Sequence, residues 1–264
     1  MKTWAAIGLA VFLIASASCI PAGETKLRIL AEDYPPYNFV GPDKQVTGQS
    51  TEIVQEILKK LGKPAAKIEI KQLAEGLAIA EKGPAVAIFS INRTAQRENR
   101  FKWVGSIGGY EQAFYAKKGS GIRLVSIDDA KDINGLIGVY KGDAGNYFLQ
   151  SQGFTNLDES QDDVEALKKL MDGKVAVWLG GREGLVITTT RAGVNMDDLE
   201  MLLPVIRSEL YIAFSKDTPD SLIKAWQDTL DSLKTVKGPD GKTFFESVIE
   251  KYSDAYFLKQ AVGK

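Results

Sequence analysis

Ser90-Ile91-Asn92-Arg93-Thr94-Ala95-Gln96-Arg97-Glu98, followed by Phe101-Lys102-Trp103, is the stretch on which the reading of this chain turns. Val86–Ser90 is an apolar run that ends on a small polar residue, the pattern of a buried strand. Ile91–Arg93 then forms a loop, and Thr94 stands where an N-cap opens a short helix. Arg97, just past that strand end, offers a planar fork of donors matched to a carboxylate. The plainer alternative is a surface ion pair with Glu98.

Working outward, strands and helices alternate. Leu27–Ala31 is a short apolar run before the turn-rich Asp33-Tyr34-Pro35-Pro36-Tyr37. Ile53, Val54, Ile57, Leu58 and Leu61 repeat at helical spacing, with Ser50 or Thr51 as cap and Gly62 as stop. Lys67–Ile70 alternates like a strand, and Leu73–Lys82 reads as a helix. Beyond the central stretch, Gln112–Lys117 alternates again. Ser126 with Asp129 has capping-box spacing. Leu136–Tyr140 reads as a strand, Gly142–Gly145 as a tight loop and Ala144–Gln152 as a helix closed by Gly153. Ser160 with Asp163 is positioned to cap a helix bearing Val164, Leu167, Leu170 and Met171. Val175–Leu179 reads as a strand, Leu185–Ala192 as a helix and Leu210–Ser215 as a strand. Ser221–Lys234 and Thr243–Tyr252 read as closing helices. This alternation predicts an α/β fold with parallel sheets.

Ala113-Phe114-Tyr115-Ala116-Lys117 and Tyr211-Ile212-Ala213-Phe214-Ser215-Lys216 resemble each other as short apolar strands ending in lysine. They bracket about 95 residues that look like one complete α/β unit. Either both strands cross between two lobes, or they are ordinary members of a single domain. Pattern alone leaves both open.

Composition narrows the function. The 264 residues suffice for one large domain or two ordinary ones. Lys plus Arg is 33 against 34 for Asp plus Glu, which gives no support for nucleic-acid binding. Histidine is absent, which excludes Ser-His-Asp and Cys-His hydrolases and histidine metal sites. The single Cys19 excludes an intramolecular disulfide and any cysteine metal cluster. No cofactor or metal is expected. Lys2, the apolar run Trp4–Ala17 and the small residues Ala15-Ser16-Ala17 read as a signal peptide spanning residues 1–22, cleaved after Ala17 or Ala22. The run, about 14 residues, is short of the ~20 a membrane span needs. A buried N-terminal helix is the alternative. Cys19 follows small residues as a lipidated cysteine does, although Ser16 stands where that signal prefers an aliphatic residue.

Taken in order, several pieces resemble one family. Ser90–Glu98 with Phe101-Lys102-Trp103 resembles the signature of family 3 extracellular solute-binding proteins, the amino-acid-type receptors of bacterial ABC importers. Asp33–Phe39 is similar to the aromatic, proline-bearing loop after that family's first strand. Thr47–Val54 resembles its first helix, Ile137–Asp143 the strand and glycine loop of its second lobe, and Tyr211–Lys216 its returning strand. The likeness runs from about residue 26 to 252.

The resemblance implies a two-lobed periplasmic-binding-protein fold of type II, with two hinge strands and a ligand cleft between the lobes. It implies lobe I over 24–112 and 214–264, hinge strands at 113–117 and 209–213, and lobe II over 118–208. The family's carboxylate-binding arginine falls on Arg97. Asn92 falls where a small residue gives its backbone N–H to the same carboxylate, and Ser90 where a small residue touches the ligand's amino group. Tyr34 falls on an aromatic that packs on the solute, while Tyr37 and Phe39 read as core or cleft wall. Gly142, Asp143 and Ala144 precede a helix whose amides face the ligand; Asp143 also suits a cap.

One departure stands out. The second-lobe acid that pairs with the solute's ammonium in amino-acid receptors is replaced by Gly180 or Gly181. The first-lobe acid used by some members aligns with Ala31. A buried ammonium without a counter-charge is costly. Either Glu183, Glu32 or Asp33 reaches in, or the solute lacks an α-ammonium. Arg182 suits a second anionic group or a solvated helix start, and Trp178 the cleft wall or the core.

The resemblance thus implies a monomeric, exported periplasmic receptor. It would capture a carboxylate-bearing solute, an amino acid or related organic acid, by hinge closure for an ABC permease of the inner membrane. Two alternatives share the scaffold. One is a cyclohexadienyl-type dehydratase with Glu183 as general acid, and the other a soluble ligand-sensing partner of a signalling system.

Overall fold

The computed structural model describes residues 27–41, 43–63 and 67–252. The expected signal peptide and Cys19 lie outside the described residues. The chain opens with β1 (Arg28–Ala31), the short pair β2 (Phe39–Val40) and β3 (Val46–Thr47), and α1 (Gln49–Lys60). β4 (Ile68–Ile70), α2 (Leu73–Lys82) and β5 (Val86–Asn92) follow, and then the long β6 (Lys102–Lys117). The middle of the chain gives β7 (Ile137–Tyr140), α3 (Ala144–Ser151), β8 (Leu157–Ser160), α4 (Asp163–Met171), β9 (Val177–Gly181) and α5 (Leu185–Ala192). It returns along β10 (Leu199–Phe214) and ends in α6 (Asp220–Thr235) and α7 (Phe244–Lys251).

Eight strands form one sheet in the order β4-β1-β5-β10-β6-β9-β7-β8. β1 is parallel to β4 and β5, and β7 is parallel to β8 and β9. Between these two parallel groups run β6 and β10, antiparallel to each other over their whole length. β5 joins β10 at Leu210–Phe214, and β9 joins β6 at Gln112–Tyr115. Between those joins, Gly109–Glu111 and Arg207–Glu209 pair with each other, and of their backbone–backbone bonds only that of the Glu111 carbonyl reaches beyond, accepting from Arg182 N at 2.9 Å. The sheet is therefore two lobes connected by a two-stranded ribbon. The strand segments anticipated at 113–117 and 209–213 lie inside β6 and β10.

Each lobe carries its own apolar core. In the first, Ile53, Val54, Ile57 and Leu58 turn one face of α1 onto Ile29, Phe89 and Phe214, with Trp226 and Leu230 of α6 closing the cluster. Leu73, Leu77 and Ala80 of α2 cover the opposite face through Leu30 and Ile88. The second lobe packs Leu149, Val139, Val177 and Leu179 on one face, and Trp178, Leu167 and Leu170 on the other. Strands buried on both faces read as continuous apolar runs, which is why β5 and β7 were readable.

Three helix starts differ from the sequence expectation. Gly48, not Ser50 or Thr51, precedes α1, because the first-turn N–H groups of Gln49, Ser50 and Thr51 already donate to the carbonyls of Pro36 and Tyr37. Asp162 caps α4 by accepting from Glu165 N at 2.7 Å. Ser160 instead ends β8, where its carbonyl accepts from Lys141 N. Thr94 opens a turn rather than a side-chain cap; its carbonyl accepts from Arg97 N and Glu98 N, and its hydroxyl is buried without a partner. The Ser126–Asp129 box is formed reciprocally, around a single helical turn at Asp128–Ala130.

Candidate functional site

The carboxyl ends of β1 and β5 lie side by side, as parallel neighbours must, and deliver the first-lobe residues to one place. Ser90 is the extra residue of a β-bulge: Tyr211 pairs with Ile91 and Ile212 with Phe89. Its φ of 63° is rare for a non-glycine residue, and such bulges re-aim side chains beside functional sites. The Ser90 hydroxyl donates to Asn38 Oδ1, while Asn38 Nδ2 donates to the Glu32 carbonyl. Asn38 is fully buried and thus locks the β1 loop to the β5 bulge. Sequence reading missed it, because a lone Asn after aromatics carries no motif.

Arg97 is 2% exposed. Its NH1 donates to the Asn92 carbonyl at 3.2 Å, and its NH2 crosses to the second lobe to reach the Gly142 carbonyl at 2.9 Å. The guanidinium also stands 5.7 Å from the Tyr147 ring. Burial pulls its pKa down, against the pull of Tyr147, Asp143 and Glu32. Arg97 Nε and Asn92 Nδ2 are buried with no hydrogen-bond partner. The alternative surface pair does not form, since Glu98 is held by Arg93 through two bonds of 2.6 Å.

From the second lobe, Tyr140 ends β7 and donates its hydroxyl to Glu32 across the cleft. Asp143 caps α3, accepting from Asn146 N at 2.6 Å and from Gln112 Nε2 at 2.7 Å. Burial nevertheless pushes its carboxyl up to about 6. The Gly142 N–H is taken by Asn146 Oδ1, so this glycine offers Arg97 its carbonyl. Tyr34, Ser90, Asn92, Arg97, Asp143 and Ala144 line one inner recess of about 20 Å³, room for about one water. Seven of the eight anticipated residues thus converge there, counting Gly142 through its bond to Arg97.

The eighth, Gly181, lines a larger adjoining chamber of about 360 Å³. Glu32, Tyr34 and Tyr140 belong to both spaces. The two glycines standing where a second-lobe acid was expected differ in room: at Gly181 a Cβ would meet only ordinary contacts, 3.4 Å from the Tyr34 hydroxyl. A side chain on Gly180 would start 2.2 Å from the Trp178 indole, which fills the core behind it. Glu32 is the first-lobe acid that lines both spaces: burial and the neighbouring Asp143 and Asp33 push its carboxyl up to about 8, against Tyr140 and Arg97. Glu183 also lines the chamber and accepts from Glu111 N at 3.1 Å. Arg182 points away, bonded at 2.8 Å to Glu111, which also holds Arg207. Where the lobes meet at the chamber rim, Arg191 of α5 pairs with Asp33 at 2.8 Å.

The chain matches the family described as bacterial extracellular solute-binding proteins, family 3, over residues 27–237. It belongs to that family. Among solved structures, a histidine kinase sensor domain with similarity to periplasmic binding proteins aligns at 14% identity and a TM-score of 0.73, covering 86% of this chain and 96% of that one. An ancestral arginine-binding protein bound to arginine aligns at 19% identity and 0.70, covering 86% and 97%. The substrate-binding protein of an ABC uptake transporter from Streptococcus pneumoniae, with bound histidine, aligns at 20% and 0.71, covering 85% and 91%. At these identities the likeness establishes the fold: this family 3 chain has the two-lobed periplasmic-binding-protein architecture. A search of the curated proteins finds no match.

Proposed function

We propose that this family 3 protein is an exported receptor that captures a small amino acid or related carboxylate-bearing solute and delivers it to an ABC importer. The observation that carries the reading is Arg97. A buried guanidinium between two lobes, its Nε unpartnered beside the unpartnered Asn92 amide, is a pair of donors awaiting an oxyanion. The solute's carboxylate would meet Arg97 and Asn92 and replace the Gly142 carbonyl on NH2, while Ser90, whose hydroxyl proton goes to Asn38, would accept from the ammonium. Tyr34 would pack on its body. Its ammonium would meet Glu32, which compensates for the glycines of β9.

Closure would occur by bending of the ribbon formed by Gly109–Glu111 and Arg207–Glu209, because there, between the β5 and β9 joins, no third strand stiffens it. Residues before and after the ribbon would form the first lobe, and those between its strands the second. The bound form favours closure because its ligand touches both lobes at once. The test is calorimetry with a panel of amino acids and organic acids on the wild type and on Arg97→Ala. Loss of at least about tenfold in affinity for every carboxylate ligand is expected, from the worth of a charged hydrogen bond. Unchanged affinity overturns the assignment. The likeness to a kinase sensor domain favours a second reading, in which the closed form docks on a membrane sensor; stimulation of a reconstituted importer's ATPase by the loaded protein decides between them.

A further inference from the structure

The chamber beyond the inner recess has a charge pattern of its own. Six carboxylates line it: Glu32, Asp33, Glu75, Asp162, Asp163 and Glu183. Among the described residues only two bases do, and each is already paired, Lys71 with Glu75 at 2.7 Å and Arg191 with Asp33 at 2.8 Å. Glu32, Asp162, Asp163 and Glu183 are left without a cationic side chain. Asp162 caps α4, Asp163 accepts the Trp178 indole N–H at 3.3 Å, and Glu183 accepts one backbone N–H. These bonds come from neutral donors, so none of the four carboxyl groups is paired with a cation. Aromatic rings complete the lining, Tyr34 and Tyr37 standing 5.4 Å apart. Ring faces beside carboxylates suit an organic cation.

Acids alone do not define a site, but here they adjoin a second, independent feature. The orphaned donors Arg97 Nε and Asn92 Nδ2 belong to residues 2% and 9% exposed, in a recess that shares Glu32, Tyr34 and Tyr140 with the chamber. One end of the cleft thus lacks an acceptor, and the other end lacks a cation.

We propose that the chamber is a distal subsite for a guanidinium or primary ammonium, and that the solute carries this group at the end of a side chain remote from its carboxylate. This deepens the proposed function and rests on it for the carboxylate end only. The distal cation would sit among Asp162, Asp163 and Glu183, with Glu32 facing the α-ammonium between the two spaces. The ligand's one anionic group would then face Arg97, and each of its two cationic groups would face at least one carboxylate.

Two matched pairs of ligands test this by calorimetry on the full exported chain: L-arginine against L-citrulline, and L-lysine against L-norleucine. Each pair shares its carboxylate and ammonium and differs in distal charge. In at least one pair the cation should bind about tenfold or more tightly than its neutral counterpart, and that preference should fall toward unity in Asp163→Asn and in Glu183→Gln. Two variants guard against misfolding of either one. If neither pair shows a preference for the cation, the chamber assignment is overturned whether or not the amino acids bind. A preference that survives both substitutions overturns it too. If Arg97→Ala leaves arginine and lysine affinities unchanged while the preference persists, the carboxylate reading fails and the distal subsite stands.

Discussion

The Arg97 guanidinium donates to the Gly142 carbonyl at 2.9 Å, tying the first lobe's buried cation to the glycine loop of the second. With the Tyr140–Glu32 bond and the Arg191–Asp33 pair, it forms a seam that holds the lobes together with protein groups alone. Part of the seam is strong because it is buried; the Arg191–Asp33 pair is half-exposed and contributes little. Arg97→Ala is therefore expected to raise the open fraction of the ligand-free protein. Small-angle scattering checks this: the radius of gyration should increase for the variant, and an unchanged value would count against the seam.

Gly184 follows β9 and faces the first lobe so closely that a Cβ there would sit 2.6 Å from the Pro35 carbonyl. Backbone oxygen cannot swing aside as a side chain does. Gly184→Ala should prop the lobes apart and weaken solute binding about tenfold, by removing part of the closed population. Its thermal stability without ligand should stay near that of the wild type. Equal affinities in wild type and variant would show that closure tolerates the methyl group.

The Glu32 carboxyl, pushed up to about 8, gives a pH signature. The groups facing it are Tyr140, Asp143, Arg97 and Asp33. A carboxyl raised on folding contributes stability that is full below its unfolded value and is lost as pH rises through the folded one. Stability from this group should accordingly decline from about pH 5 to about pH 8. Affinity for a solute with an ammonium should move the opposite way, strengthening toward pH 8 as Glu32 ionises, with proton release on binding. Calorimetry in buffers of different ionisation enthalpy reads that release; Glu32→Gln should abolish it.

Asn38 supplies a stability test separate from ligand binding. Its amide bonds the Glu32 carbonyl and the Ser90 hydroxyl in a fully buried position. Asn38→Ala leaves both partners unsatisfied and should cost about 2–3 kcal/mol in urea denaturation. A loss under about 0.5 kcal/mol would mean that water replaces the amide.

The parts of this architecture that were legible in sequence are those with a local cause. β5 and β7 announce themselves as apolar runs, and α5 begins and ends at the anticipated Leu185 and Ala192. Arg97, Ser90 and Asn92 were readable because one strand-loop segment carries all three. β8 was not, since Leu157-Asp158-Glu159-Ser160 holds one apolar residue and is a strand only by pairing with β7. Glu32 was one of three candidate acids, and only the fold shows that its carboxyl meets the Tyr140 hydroxyl of the other lobe. The chamber acids come from segments as distant as Glu75 and Asp163, and their convergence is a product of topology.

The position of Glu32 has a consequence for the order of events during capture. If Glu32 is the negative anchor, it stands on the loop after β1, on the same half of the molecule as Arg97. On the proposed reading, an arriving zwitterion finds both of its poles matched before the gap shuts. The far half then closes over it with Tyr140, α5 and the carboxylates of Asp162, Asp163 and Glu183, and recognition would begin before enclosure.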